Sequence, residues 1–116
     1  MRGPRTVRGQ VRMLEALEHP EGVLYVRVED VSRADAAAEV VAEVAFPINR
    51  QLAVGESLPF SLTVPEVDDR AHYSLRAHLD TTGSGRIEPG DRISIASHPV
   101  ITFGYPDEAV LDAHKV

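Results

Sequence analysis

Alternation of apolar and polar residues with a period of two recurs along this chain and directs it to a β architecture. In V-L-Y-V-R-V-E-D, residues 23–30, Leu24, Val26 and Val28 fall on one face and Tyr25, Arg27 and Glu29 on the other. That is the period of a strand with one side in a core, and it predicts the central strand of the fold. The polar stretch that follows carries Asp30, Ser32 and Asp35, short side chains that bond nearby backbone N–H groups and reverse the chain.

The same pattern marks further strands. Residues 6–14 place Val7, Val11 and Met13 on an inner face that also holds Gly9, and a glycine there signals a bulge or a close backbone approach. Residues 15–22 read as a loop ended by Pro20 and Gly22. Residues 32–46 are ambiguous. S-R-A-D ahead of A-A-A-E-V-V-A-E-V-A has the form of a capping box opening an amphipathic helix. Yet Val40, Ala42, Val44 and Phe46 also alternate with Val41, Glu43 and Ala45, and the β-branched residues favour a strand from Glu39 to Pro47 with the alanines in the turn. Residues 58–64 turn Leu58, Phe60, Leu62 and Val64 inward, with Pro59 outward at a sheet edge, since proline cannot donate to a ladder.

After a corner at residues 65–71, which has room for one helical turn, residues 72–80 point Tyr73, Leu75, Ala77 and Leu79 inward and His72, Ser74, Arg76 and His78 outward. A long loop rich in glycine follows, then strands at 92–97 and 98–103 bent at Pro99. The fold predicted is all-β: one antiparallel β-sandwich, or small barrel, of seven or eight strands with consecutive strands antiparallel. At 116 residues the chain is one domain, with a core over about residues 6–104 and residues 105–116 as a tail or short last strand.

Composition narrows the function. The net charge of −6 and the scattered arginines argue against nucleic-acid binding. Without cysteine there is no disulfide frame, thiolate metal site, cysteine nucleophile or lipid thioether anchor. The basic start M-R-G-P-R-T-V-R is not followed by the apolar stretch of a signal peptide, and no apolar run approaches the ~20 residues that span a bilayer. A cytoplasmic location is the default expectation, and an exported one follows if an upstream leader has been removed.

The sharpest local motif is D-T-T-G-S-G-R-I-E-P-G-D, residues 80–91. On a twelve-residue calcium loop it places Asp80, Thr82, Ser84, the Arg86 carbonyl, Glu88 and Asp91 at the ligand positions and Gly85 at the sharp turn. Hydroxyls replace two carboxylates, Asp91 reaches less far than the usual glutamate, and Pro89-Gly90 denies an exit helix. Any Ca²⁺ affinity would be weak, near ~10⁻⁴ to 10⁻³ M. The favoured alternative is a connection whose aspartates cap turns. His72 and His78 share an outward face but sit ~20 Å apart along the strand with Arg76 between them, which suits a solvated face better than a metal pair. His19, His98 and His114 have no partner visible in the sequence. Glu29, Asp30 and Asp35 suit turn-building rather than paired-acid hydrolysis, and no nucleophile or phosphate-cradling motif is present.

V-R-V-E-D-V-S-R-A-D-A-A-A-E-V-V-A-E, L-P-F-S-L-T-V-P, Y-S-L-R-A-H-L-D, G-R-I-E-P-G-D and P-V-I-T-F-G occur in this order. The set resembles the YbaY and YscW-type lipoprotein family over about residues 6–104. The resemblance implies a small β-sandwich with a non-enzymatic, protein-binding character. The best understood relatives are pilotins, outer-membrane lipoproteins that help a secretin ring of type III secretion to assemble. Those relatives carry a signal peptide and a lipid-modified cysteine, and this sequence shows neither, so their membrane anchoring is not carried over. The expectation is therefore a protein-binding assembly module with an unidentified protein partner, with strand addition beside Pro59 as one binding mode. The alternative is a domain stabilised by Ca²⁺ in the 80–91 loop, and an enzyme ranks third.

Overall fold

The computed structural model describes residues 3–18 and 22–116. Its eight strands are β1 (Arg5–Met13), β2 (Val23–Asp30), β3 (Glu39–Pro47), β4 (Ser57–Val64), β5 (Tyr73–Asp80), β6 (Arg92–Ser94), β7 (Pro99–Val100) and β8 (Glu108–Lys115). They form one sheet in the order β3-β2-β5-β6-β8-β1-β4, with β7 pairing β5 off this path. The two ends of the path, β3 and β4, come within 8 Å of each other between Cα atoms, so the sheet is nearly closed and barrel-like. No helix among the described residues is long and apolar enough to cross a membrane.

The alternating residues form the core as their period requires. Val7, Val11, Met13, Leu24, Val26, Val28, Leu62, Val64, Leu75 and Leu79 are all buried in one apolar cluster, each such side chain contributing ~1.5–3 kcal/mol relative to exposure. Gly9 lies at a close approach of two backbones. It pairs with Ala109 of β8, and a Cβ at this position would lie 1.9 Å from the Ala109 carbonyl oxygen. Leu17 and Leu52 bridge two loops through reciprocal N–H···O bonds of 2.9 Å and join the same core.

Residues 39–47 form a strand, as the β-branched residues favoured, and Ala36–Ala38 lie in the connection before it. A bulge interrupts the alternation: Val28 pairs with Ala42 and Glu29 with Val40, so Val41 is the extra residue. Val41 therefore packs against the core and Val40 is exposed. Exposed Pro59 lies in β4, an end of the path, where no second ladder needs its missing N–H.

Several expectations need correction. The strands are not all antiparallel: β8 runs parallel to β1 while pairing antiparallel with β6. The strands expected at 92–97 and 98–103 are only residues 92–94 and 99–100, because the chain leaves the ladder at Ile95 and turns sharply after Val100. The corner at 65–71 holds turns and no helix. Asp30 does accept from the Ser32 N–H at 2.9 Å, and the Ser32 hydroxyl accepts from the His72 N–H at 2.9 Å. Asp35 makes no hydrogen bond among the described residues and is exposed. His19 and Pro20 of the 15–22 loop lie outside the described residues.

Candidate functional site

The end of β5 and the loop after it form a polar cluster in which the carboxylates are buried. His78 and Asp80 point to the face of the sheet opposite Leu79, and the loop folds back to cover them. Asp80 accepts from the backbone N–H groups of Thr82, Gly83 and Gly85 at 3.1, 2.9 and 2.9 Å. Gly83 and Gly85 take positive φ of 78°, a conformation that glycine adopts without steric cost. Asp91, fully buried, accepts from the Thr81 N–H and hydroxyl at 2.9 and 2.6 Å, from the Glu88 N–H at 3.2 Å, and from His78 Nε2 at 2.7 Å.

Burial acts to raise the pKa of both aspartates, but the surrounding donors outweigh it. Three backbone N–H groups hold Asp80 below the usual carboxylate range. The His78 ring, Thr81 and the Glu88 N–H do the same for Asp91. Two carboxylates close together in a buried site thus stay ionised because hydrogen-bond donors surround them.

The six residues considered as calcium ligands are partly brought together. Asp80 and Asp91 converge, with His78, so that one ligand atom of each lies within 4.8 Å of the others. The Thr82 hydroxyl donates to Glu88 Oε2 at 2.7 Å, and the Ser84 hydroxyl lies 3.2 Å from the Arg86 carbonyl, which it donates to. The two aspartates aim their oxygens at N–H and O–H donors, which is the arrangement of turn caps.

The solvated-face reading of the two histidines holds for His72 and fails for His78. His72 is exposed and stacks on Phe103, ring centroids 4.3 Å apart. His78 is only 4% exposed, because the 80–91 loop covers the outer face of β5 at this point. Strand parity reports which face a residue is on, and here both faces are covered.

A second region went unread in the sequence. After Val100 the Thr102 N–H donates to the Val100 carbonyl at 2.9 Å around Ile101, whose φ is 76°. This is a γ-turn of the rare positive-φ form, on a β-branched residue that strongly disfavours it. Next, the Tyr105 N–H donates to the Thr102 carbonyl at 3.1 Å across Phe103 (φ 56°) and Gly104 (φ 80°), the φ signature of a type I′ turn. Buried Thr102 fixes both turns by donating its hydroxyl to the Ala71 carbonyl at 2.6 Å.

These turns hold Phe103 and Tyr105 out in solvent, 58% and 48% exposed. With exposed Val31 they line a cleft floored by Tyr73 and Ser74, and a neighbouring cleft shares Val31, Ser74 and Ser97 and ends at exposed Ile95. A strained, clamped loop thus displays two aromatic rings beside a cleft. The signal for it in the sequence was T-F-G-Y-P, where a glycine and a proline so close together break a strand.

The geometry is that of a small all-β protein with a nearly closed sheet, a clamped loop that displays two aromatic rings, and buried acids tied up in turns. The chain belongs to the type III secretion system lipoprotein chaperone (YscW) family, whose model matches residues 3–112. Its fold is similar to that of an alternative pilotin from the type II secretion system of Vibrio cholerae, with a TM-score of 0.78, 26% identity and 97% of each chain covered. No curated protein matches the sequence.

Proposed function

We propose that this protein is a non-enzymatic chaperone of the pilotin kind, which binds a secretin-type subunit and assists its assembly. Family membership supports a protein-assembly role, and the observation that carries the reading to particular residues is the rigid display of Phe103 and Tyr105 beside Val31. Aromatic side chains held in place bind with little loss of conformational freedom and form the anchors of protein interfaces. The cleft beside them receives apolar side chains of the partner. The 80–91 loop in this reading is a structural clamp held by hydrogen bonds, with no ion required.

The test is binding to purified secretin subunits from the same organism, measured by calorimetry. Phe103→Ser combined with Tyr105→Ser should weaken binding by about 2 kcal/mol or more, roughly thirtyfold, as expected for anchor residues. The unfolding midpoint should change by only a few degrees, because both residues are exposed and outside the core cluster. Absence of binding by the unaltered chain, or full affinity in the double variant, would overturn the assignment.

A further inference from the structure

Arg92, the first residue of β6, is 5% exposed and has no carboxylate partner among the described residues. Arg5, Arg12, Arg27, Arg50, Arg76 and Arg86, all more exposed, each reach one. The Arg92 guanidinium donates through its terminal nitrogens to the Gly90 carbonyl and, at 2.6 Å, to the Ala16 carbonyl. Its Nε is buried without a partner. Two of five donors are thus engaged, both by neutral oxygens. Burying a cation is costly unless an anion compensates it, and the described residues supply none within ion-pair distance.

Arg92 lines a cavity of about 670 Å³ with Lys115, Thr81, Gly90, Ala16 and Leu17. Lys115 forms no ion pair among the described residues either, and Glu18 stands exposed at the rim. Two cations, from the start of β6 and the end of β8, therefore line one space with apolar Ala16 and Leu17, polar Thr81 and Gly90, and Glu18 at its rim. The volume suits a small ligand. The planar guanidinium presents paired donors matched to a carboxylate. We infer that this cavity binds a carboxylate attached to a short apolar body, with Arg92 and Lys115 holding the charge and Leu17 and Ala16 the apolar part. Arg92 pairs with Leu79 and Val100 with Tyr73, so this site and the aromatic surface lie at opposite ends of β5, and the inference does not depend on that surface.

The test is an NMR titration of the ¹⁵N-labelled full chain at low salt with N-acetyl-leucine and, in parallel, N-acetyl-leucinamide, which keeps the apolar body without the charge. Saturable shifts at the amides of Thr81, Gly90, Arg92 and Lys115 are expected with the acid alone. Lys115→Gln, an exposed change that leaves the core intact, should weaken the acid by about fivefold, the worth of one partly screened charge contact. The same response to the amide, no saturation at millimolar concentrations, or an unchanged affinity in Lys115→Gln would overturn the site. A leucine-terminated hexapeptide binding more tightly than N-acetyl-leucine identifies a protein chain end as the source of the carboxylate. Equal affinity identifies a small organic acid.

Discussion

Asp91 shows what a single side chain can hold in a loop that carries no regular structure. Replacing it by alanine leaves the His78 ring, the Thr81 N–H and hydroxyl, and the Glu88 N–H without their acceptor. Each buried orphan costs about 1–3 kcal/mol, so Asp91→Ala should lose about 3 kcal/mol or more, and its midpoint should fall by ten degrees or more. Asp35→Ala, at an exposed residue with no hydrogen bond, should stay within about 0.5 kcal/mol and serves as the control. Acid should act through the same carboxylates. Asp80 and Asp91 have folded pKa values below the ordinary 3.8, so the unfolded chain takes up their protons first. Their stabilisation is present in full above the unfolded value and is lost as the pH falls through the lower folded ones. Denaturation midpoints should therefore keep this contribution from pH 7 to about 5 and fall below about pH 4, with a shallower acid limb in Asp91→Ala. The same carboxylates decide the calcium question. A site with a Kd near 10⁻⁴ M would add about 2.7 kcal/mol at 10 mM Ca²⁺, whereas a loop held by N–H donors should show the same midpoint in EDTA and in Ca²⁺. A Ca²⁺-specific rise absent with Mg²⁺ would restore the ion to the loop.

At the scale of elements, period-two patterning served well wherever one face was buried and the other solvated. β1, β2, β4 and β5 sit where their alternation placed them. Gly9 left a bulge and a close approach open, and the pairing with Ala109 makes it the close approach; Gly9→Ala should break the β1–β8 ladder because a Cβ meets backbone oxygen at 1.9 Å, a contact that no side-chain rotation relieves. Its expected signature is loss of amide-exchange protection along Glu108–Lys115 first. Alternation could not show the Val41 bulge, which depends on pairing with β2, nor the burial of His78, which depends on where a loop folds. It also ran β7 past its end, because Ile101 and Phe103 are good strand formers held at positive φ by tertiary contacts. That conflict gives a separable prediction. Phe103→Asn suits the first central position of a type I′ turn better than phenylalanine does, so it should raise the unfolding free energy by about 0.5–1 kcal/mol while lowering partner affinity. A variant that loses stability and keeps its partner would contradict the display role.

At the scale of the whole molecule, the strand order makes the last segment the joint of the fold. Its apolar content is thin enough to have read as a tail or short strand, yet β8 lies between β6 and β1, with Leu111 and Ala113 in the core. No local pattern announces this, since a parallel pairing between the two ends of a chain is fixed only when the sheet closes. Without β8 the path separates into β3-β2-β5-β6, with β7 still on β5, and β1-β4, a five-stranded piece and a two-stranded piece sharing no ladder. A lone hairpin-sized pair is at best marginal in water. The loss would include the burial of Leu111 at ~1.5–3 kcal/mol, both ladders of β8, and the cover over Val11 and Gly9 of β1. Set against a whole-domain stability of about 5–15 kcal/mol, that is enough to abolish folding. A chain ending at residue 106 should therefore show no cooperative thermal transition and no dispersed amide spectrum. Adding residues 107–116 back as a separate peptide should restore both in proportion to its concentration, as mass action requires of a strand that completes a core. Cooperative unfolding of the shortened chain alone would mean that β1-β4 packs on the larger piece through side chains without the joint.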